Sequence, residues 1–209
     1  MHHLLHIDAS PRGERSHSRQ LSREFVTAWK TRNPNDVVTY RDLGREPVPP
    51  VSESWIGAVY SSPEQHNPAQ REAIAISDAL VSELHMADIY VFGVPMYNFN
   101  VPAPFKAYID QIVRPGHTVV FDPAAGPRGL LSGKKMFVLT ARGLSGYGPG
   151  EAAESINFQD PYLRAIFGYI GVTDITFIHG NDTLNSERWE SSFAKARTAI
   201  HDTVLRSSV

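Results

Sequence analysis

Three serines follow the first apolar stretch of the chain, and two of them open a predicted helix. Ser10 comes soon after residues 4–7, and Ser16 and Ser18 flank His17. A helix N-terminus suits a phosphate because it presents unpaired N–H groups and the positive end of the dipole, and serine hydroxyls add donors. Helix capping alone explains one serine, but it explains three less well. The segment therefore predicts a phosphate site.

The same segment also narrows the kind of phosphate. It contains neither G-x-x-x-x-G-K-[ST] nor G-x-G-x-x-G. The first absence disfavours a nucleoside triphosphate with Mg²⁺, and the second disfavours a resident Rossmann-type dinucleotide. A monophosphate is the simplest interpretation.

A second unusual segment, residues 95–106, contains two aromatics (Tyr97 and Phe99), two asparagines and three prolines ahead of the next helical periodicity. Residues 89–94 before it form a continuous apolar run, which is typical of a strand buried on both faces. The prolines fix φ and remove donors, so we expect a stiff loop. Such a loop is suited to hold a flat polar ring, although its aromatics have an alternative role as a cover for the core.

A third loop begins after the apolar residues 136–140, at Arg142 and Gly143. Its backbone amides and the Arg142 cation are candidates for donors near the polar edge of such a ring, where they would stabilise a reduced flavin. The alternative is an ordinary surface arginine. A phosphate site combined with a ring site describes flavin mononucleotide (FMN).

Three other arrangements of polar residues suggest different chemistry. His2, His6 and Asp8 share one face of a strand and suggest a metal site, but burial in a sheet explains them better. His6 and Asp8 near a serine also suggest a hydrolytic triad. Residues 143–146 resemble a nucleophile elbow, but G-x-S-x-G requires glycine where Tyr147 stands.

Composition limits the class of protein. The 209 residues suit one domain spanning 1–209, and the chain has no cysteine and a formal charge of −2. Disulfides, thiolate catalysis and cysteine-ligated metal sites are excluded. With this charge we do not expect nucleic acid as a partner. No apolar run is long enough for a membrane span. We expect a cytoplasmic protein. Residues 1–7 are too short for a signal peptide and predict a first strand.

Apolar runs alternate with helical periodicity along the whole chain. Strands are expected at residues 4–7, 37–40, 89–94, 136–140 and 175–178, with residues 117–131 irregular. This alternation predicts an α/β fold with a doubly wound parallel sheet in three layers, α/β/α, and the flavodoxin-like strand order 2-1-3-4-5. In that order the three candidate loops follow neighbouring strands and converge on one edge of the sheet.

These motifs resemble those of the FMN-dependent NADH-azoreductase / NADH:quinone oxidoreductase family, which has a flavodoxin-like fold, and the similarity runs nearly end to end. The most specific piece is the run from Pro95 to Asn100, followed by Lys106, Tyr108 and Asp110. Further matching pieces are Ser10 with Ser16-x-Ser18, Arg41-Asp42-Leu43, Gly133-Lys134-Lys135, Arg142-Gly143, Pro161-Tyr162-Leu163 and Gly171-Val172-Thr173-Asp174.

The resemblance implies a homodimer with FMN at its interface that reduces quinones and aromatic azo compounds, with NADH or NADPH as the donor and hydride passing through flavin N5 in a ping-pong reaction. It implies that FMN is bound by Ser10, Ser16, His17, Ser18, Met96, Tyr97, Asn98, Phe99, Ala141, Arg142, Gly143 and Leu144. Ala141 and Leu144 depart from the Ser-Arg-Gly-Gly pattern of the family. Phe121 and Tyr169 are the implied substrate-binding aromatics, lent across the dimer interface. No catalytic side chain is implied.

Two other functions remain as alternatives. One is a flavodoxin-like electron carrier that serves a protein partner, although carriers of that kind are usually strongly acidic. The other is a flavin-free phosphate-binding or hydrolytic domain on the same fold.

Overall fold

The computed structural model describes residues 1–207 of the chain, in which strands and helices alternate. The strands are His3–Asp8 (β1), Val37–Asp42 (β2), Ile89–Pro95 (β3), Val119–Asp122 (β4), Gly126–Gly129 (β5), Lys135–Ala141 (β6) and Asp174–Gly180 (β7). The α-helices are His17–Arg32 (α1), Glu53–Val59 (α2), Pro68–Met86 (α3), Ala103–Ile112 (α4), Gln159–Tyr169 (α5) and Trp189–Arg206 (α6).

The main sheet has five parallel strands in the order β2-β1-β3-β6-β7. This confirms the predicted order, because β4 and β5 form a separate two-stranded sheet. Each of the five strands of the main sheet lies close to its predicted position and extends one or two residues beyond it. The sequential strands are connected by helices, as right-handed βαβ crossovers require.

Two hydrophobic cores lie on opposite faces of this sheet. Along β3, Tyr90 and Phe92 pack with α3, α4 and α5, whereas Ile89 and Val91 pack with α1 and α6. Side chains alternate between the faces of a strand, so a central strand covered on both faces must be apolar at every position. This is the physical reason for the continuous apolar run that the sequence shows.

The prediction that residues 117–131 are irregular is wrong, because β4 and β5 form an antiparallel hairpin there. The Asp122 carboxylate accepts hydrogen bonds from the N–H groups of Ala124 and Ala125 and so closes the turn. Strand β5 is Gly-Pro-Arg-Gly, which carries no strand signal. Contact with the rest of the fold positions it: a Cβ on Gly129 would lie 2.1 Å from the Gly171 nitrogen.

The spacing of Tyr162, Ile166, Tyr169 and Ile170 predicts the apolar face of a helix, and the buried face of α5 differs from it. Ile170 is buried, but Tyr169 is exposed, and Tyr162 and Ile166 are only half-buried. The residues that enter the core with Ile170 are Leu163 and Phe167. No helix within residues 1–207 combines the length and the apolar character that crossing a membrane requires.

Candidate functional site

The loops that follow β1, β3 and β6 meet at the carboxyl edge of the sheet. The Ala9 N–H donates to the Gly93 carbonyl at 3.0 Å, and the Met96 N–H donates to the Ala141 carbonyl at 2.9 Å. These bonds connect each loop to its neighbour at the point where the strands end. The predicted convergence of the three loops is therefore present, at the edge where open α/β sheets bind ligands.

The serine loop places its hydroxyls at the N-terminus of α1. Ser16 is the N-cap, and its hydroxyl accepts from the Arg19 N–H and lies 3.2 Å from the hydroxyl of Ser18. Ser10 is fully buried, and its hydroxyl accepts from the Arg12 N–H at 3.4 Å. Capping thus accounts for Ser16, and the other two serines are buried polar groups at the same helix end.

His17 lies between these serines but faces α6. Its ring centre is 4.5 Å from that of Trp189 and 5.4 Å from that of Phe193. Burial, and secondarily the charge of Arg12, lowers the pKa of His17 from its ordinary value. The imidazole is therefore neutral at pH 7 and contributes packing rather than charge. A phosphate at this helix end would meet the His17 backbone N–H and not its ring.

The loop after β3 contains a tight two-residue turn. Tyr97 and Asn100 exchange two backbone hydrogen bonds, of 2.8 and 3.0 Å, around Asn98 and Phe99, whose φ values are +48° and +68°. Two successive left-handed residues define a type I′ turn. This turn, in addition to the prolines, makes the loop stiff. It also leaves Tyr97, Asn98 and Phe99 exposed, and the Asn98 amide has no hydrogen-bond partner within residues 1–207.

Gln159, at the start of α5, supports this loop from behind and was not predicted. It is fully buried, and its amide nitrogen donates to the carbonyls of Val94 and Pro95 at 3.2 and 3.1 Å. The next residue back, Phe158, donates its N–H to the Phe99 carbonyl. The sequence offers no local signal for this role, because α5 lies about 60 residues farther along the chain and only packing brings it here.

The side chain of Arg142 does not point towards the ring site. It is 2% exposed, pairs with the Asp160 carboxylate and donates to Gln159 at 3.3 Å. Its guanidinium also lies 5.6 Å from the ring centre of Tyr147. The Arg142 charge is thus buried and neutralised by Asp160 of α5, so this residue is neither an ordinary surface arginine nor a free cation for the edge of a ring.

Donors near the ring position come instead from the backbone of the same loop. The Arg142 N–H is used by the Gly180 carbonyl, and the carbonyls of Arg142 and Gly143 accept from Thr183 and Leu184. Within residues 1–207, the N–H groups of Gly143 and Leu144 have no acceptor. These two N–H groups fit the expected donors to the polar edge of a flavin. Ala141 lacks the hydroxyl of the serine in the family pattern, and Leu144 adds a side chain that is 56% exposed. Neither change removes these two N–H donors.

The half-buried His179 completes the polar network behind the loops. Its Nδ1 is 2.8 Å from the Thr140 hydroxyl, and its Nε2 is 3.6 Å from Asp160. Burial, and next the positive charge of Arg142, lowers the pKa of His179 to about 4. The negative charge of Asp160 opposes this shift. His179 is consequently neutral at pH 7 and serves this network as a hydrogen-bonding group.

Phe121 and Tyr169 lie far from the three loops of their own chain. Helix α5 starts at the loops, where Gln159 holds β3, and ends at Tyr169, where the Ile170 carbonyl binds the Leu131 N–H. Its 11 residues span about 16 Å. Phe121 is on the hairpin near that far end and is 74% exposed. Phe121 and Tyr169 are thus separate from the three-loop site of their own chain.

The hydrolytic and metal alternatives have no geometric support. Ser22 donates to Asp8 at 2.7 Å, whereas His6 approaches the other Asp8 oxygen at 3.6 Å, so no serine faces the histidine. The Ser145 hydroxyl donates to Asp182 and is not paired with a histidine. Within residues 1–207 no three His, Asp or Glu side chains gather in a way that would hold a metal ion.

Comparison with known proteins gives one consistent result. A family model described as a flavodoxin-like fold matches residues 2–204. The chain is 55% identical over 206 residues to an FMN-dependent NADH:quinone oxidoreductase of Nostoc punctiforme, covering 99% of this chain and 100% of that one. It is 53% identical to a protein with the same name from a second Nostoc strain, covering 98% and 99%. Among solved structures, an azoreductase of Bacillus anthracis superposes with a TM-score of 0.89 at 27% identity, covering 98% and 99%.

Proposed function

The chain belongs to the flavodoxin-like fold family, and from that premise we propose that it is an FMN-dependent NADH:quinone oxidoreductase that also reduces aromatic azo compounds. The observation that carries the proposal is the junction of the serine loop with the Tyr97–Asn100 turn on adjacent strands. A ligand with a phosphate and a flat ring would use both. The identity of 55% to a relative with this activity over the whole chain supports the same conclusion.

The described residues fit FMN part by part. Ser10, Ser16 and Ser18 with the α1 N-terminus suit the phosphate, which binds through hydroxyl and N–H donors. The exposed side chains of the tight turn, Tyr97 to Phe99, suit the ribityl chain and one face of the ring. The free N–H groups of Gly143 and Leu144 suit its polar edge, where donors stabilise the reduced state.

FMN held by these residues would supply two-electron transfer between NADH and a quinone or azo compound. The residues of this chain bind and orient the reactants and exclude water. Exposed apolar side chains border the loops and provide surface for flat aromatic acceptors; they are Tyr97, Phe99, Leu144, Phe158 and Leu184. No side chain is assigned a proton transfer.

We also propose that the active unit is a homodimer in which each chain lends Phe121 and Tyr169 to the site of the other. The support is their position: both are exposed, and both lie at the far end of α5 from the loops of their own chain. Large exposed aromatics of this kind are typical of interaction surfaces. In a dimer with two-fold symmetry, the two aromatics of each chain would lie at the loops of its partner.

The visible spectrum of the purified protein, recorded before and after anaerobic NADH, tests the proposed activity. We expect flavin absorption, its bleaching by NADH and its return when a quinone is added. A colourless protein that FMN does not reconstitute contradicts the proposal. A bound flavin that NADH does not bleach points instead to an electron carrier.

A further inference from the structure

The carbonyl of Ser10 is held by a single buried arginine on the first helix. Ser10 is fully buried, and its carbonyl oxygen accepts hydrogen bonds from Arg19 Nε at 2.8 Å and Arg19 Nη2 at 2.6 Å. The backbone N–H of Arg19 also donates to the Ser16 hydroxyl at 3.4 Å. Arg19 therefore contacts two of the three serines of the phosphate loop, one through its side chain and one through its backbone.

Arg19 is in turn oriented by Asp42, the last residue of β2. The guanidinium is 6% exposed and forms a two-pronged pair with this carboxylate, with Nη1 2.6 Å from Oδ2 and Nη2 bound to Oδ1. The Asp42 carboxylate also accepts from the N–H groups of Gly44 and Arg45 at 3.1 and 3.0 Å. Burial alone would raise the pKa of Asp42, but Arg19 and these N–H groups lower it, so the pair is charged at neutral pH.

The two loops are also in direct backbone contact at this point. A Cβ on Gly44 would lie 2.1 Å from the Ser10 oxygen and 2.7 Å from Arg19 Nη2, so only glycine permits the approach. The Leu43 N–H donates to the Asp8 carbonyl at 2.9 Å. The turn formed by residues 42–44 thus packs directly against the serine loop and restricts the orientation of the Arg19 side chain.

This arrangement has a consequence for anion binding. A carbonyl oxygen that turned towards a bound phosphate would repel it, and the two Arg19 bonds engage the Ser10 carbonyl so that it is not free to turn towards a ligand. The Arg19 charge itself is compensated by Asp42, so its effect is geometric rather than a net attraction. A loop held in its binding conformation before the ligand arrives loses less freedom on binding.

We propose that Arg19, oriented by Asp42, is a positioning residue that preorganises the serine loop and thereby sets the affinity of the protein for the phosphate of its flavin. The inference rests on the proposed function, since it takes FMN as the ligand of this loop. It assigns a role to Asp42 within the Arg41-Asp42-Leu43 motif, which lies outside the three ligand loops.

The test compares the dissociation constants of FMN and riboflavin, which lacks the phosphate, for the flavin-free protein. Arg19→Lys replaces the planar guanidinium with a single ammonium. At least one charge-assisted bond to Ser10 or Asp42 is then lost. We expect FMN to bind about tenfold more weakly, while riboflavin changes by less than about twofold. Asp42→Asn keeps the shape of the side chain and should shift the FMN-to-riboflavin ratio in the same direction by a smaller factor.

Arg41→Lys is the matched control. Arg41 precedes Asp42 but points to the other side of β2, where it forms a two-pronged pair with Glu83. The same substitution there should leave the FMN-to-riboflavin ratio unchanged.

The outcomes separate the inference from the function on which it rests. Wild-type protein that binds neither flavin contradicts the proposed function. FMN binding that Arg19→Lys and Asp42→Asn leave unchanged, or that they weaken together with riboflavin binding by the same factor, overturns the role of Arg19. If Arg19→Lys does not fold, the ratio measured with Asp42→Asn decides.

Discussion

Arg142 and Asp160 form an ion pair behind the loops that follow β3 and β6. The guanidinium is almost fully buried, and Asp160 also accepts from Asn157 at 3.0 Å. The pair joins the end of β6 to the start of α5, and Gln159 joins α5 to the end of β3. A residue that the sequence places at the ligand edge thus supports two ligand loops from inside the protein.

Loss of the Asp160 carboxylate should therefore cost stability. Asp160→Ala leaves the Arg142 guanidinium buried without a counter-charge, and we expect the free energy of unfolding to fall by about 3 kcal/mol. Urea denaturation measures this change. Asp110→Ala is the control, because the Lys106–Asp110 pair is exposed on α4 and should contribute less than about 0.5 kcal/mol. Equal losses in the two variants would contradict the assigned role.

His179 predicts a specific pH dependence of stability. Its pKa is lowered from the ordinary 6.5 to about 4 in the folded chain, first by burial. Between these values the unfolded chain binds the proton and the folded chain does not, so stability falls as the pH drops from about 6.5 to 4. His179→Gln should remove about 1–2 kcal/mol of the stability difference between pH 7 and pH 5.

Urea denaturation at the two pH values measures the His179 effect. His201→Gln, at an exposed position on α6, is the matched control. A decrease in stability between pH 7 and pH 5 that is the same in both variants and in the wild type would rule out His179 as its source.

Asn98 should contribute to flavin affinity through its free amide. Asn98→Ala removes the amide but also places alanine at a φ of +48°, which costs about 1–2 kcal/mol. Asn98→Gly removes the same amide and keeps the turn. We expect both variants to bind FMN about three- to tenfold more weakly, consistent with one lost hydrogen bond. Fluorescence quenching of FMN gives the affinities, and wild-type affinity in the glycine variant would show that the amide is not used.

The proposal that each chain lends Phe121 to its partner's site predicts how mixed dimers behave. Phe121→Ala should weaken acceptor reduction in its partner's site, and Asn98→Gly should weaken flavin binding in its own. In a mixed dimer one site then carries both changes and the other carries neither. Refolding the two variants together should restore roughly a quarter of the wild-type sites. Activity no higher than the average of the separate variants would mean that Phe121 does not act across an interface.

The predictable part of the fold follows from local rules. The five parallel strands of the main sheet were recognisable because each is an apolar run between helical segments. The pair Asn67-Pro68 is typical of a helix start, and α3 begins there, with Asn67 in a capping box with Gln70. The hairpin of β4 and β5 was missed because residues 126–129 have no strand propensity and the close approach of Gly129 to Gly171 positions them.

The sequence by itself determined which segments carry serines, aromatics and glycines, and the parallel order of the strands determined that those segments share one edge. Only the tertiary structure decided where their side chains point. Arg142 turns inward because Asp160 lies behind it, and Arg19 reaches Ser10 because Asp42 and Gly44 close the space around it. The partners of Arg142 and Asp42 lie 18 and 23 residues away. Periodicity describes a face of one element and says nothing about the element packed against it, so such pairs are decided by packing.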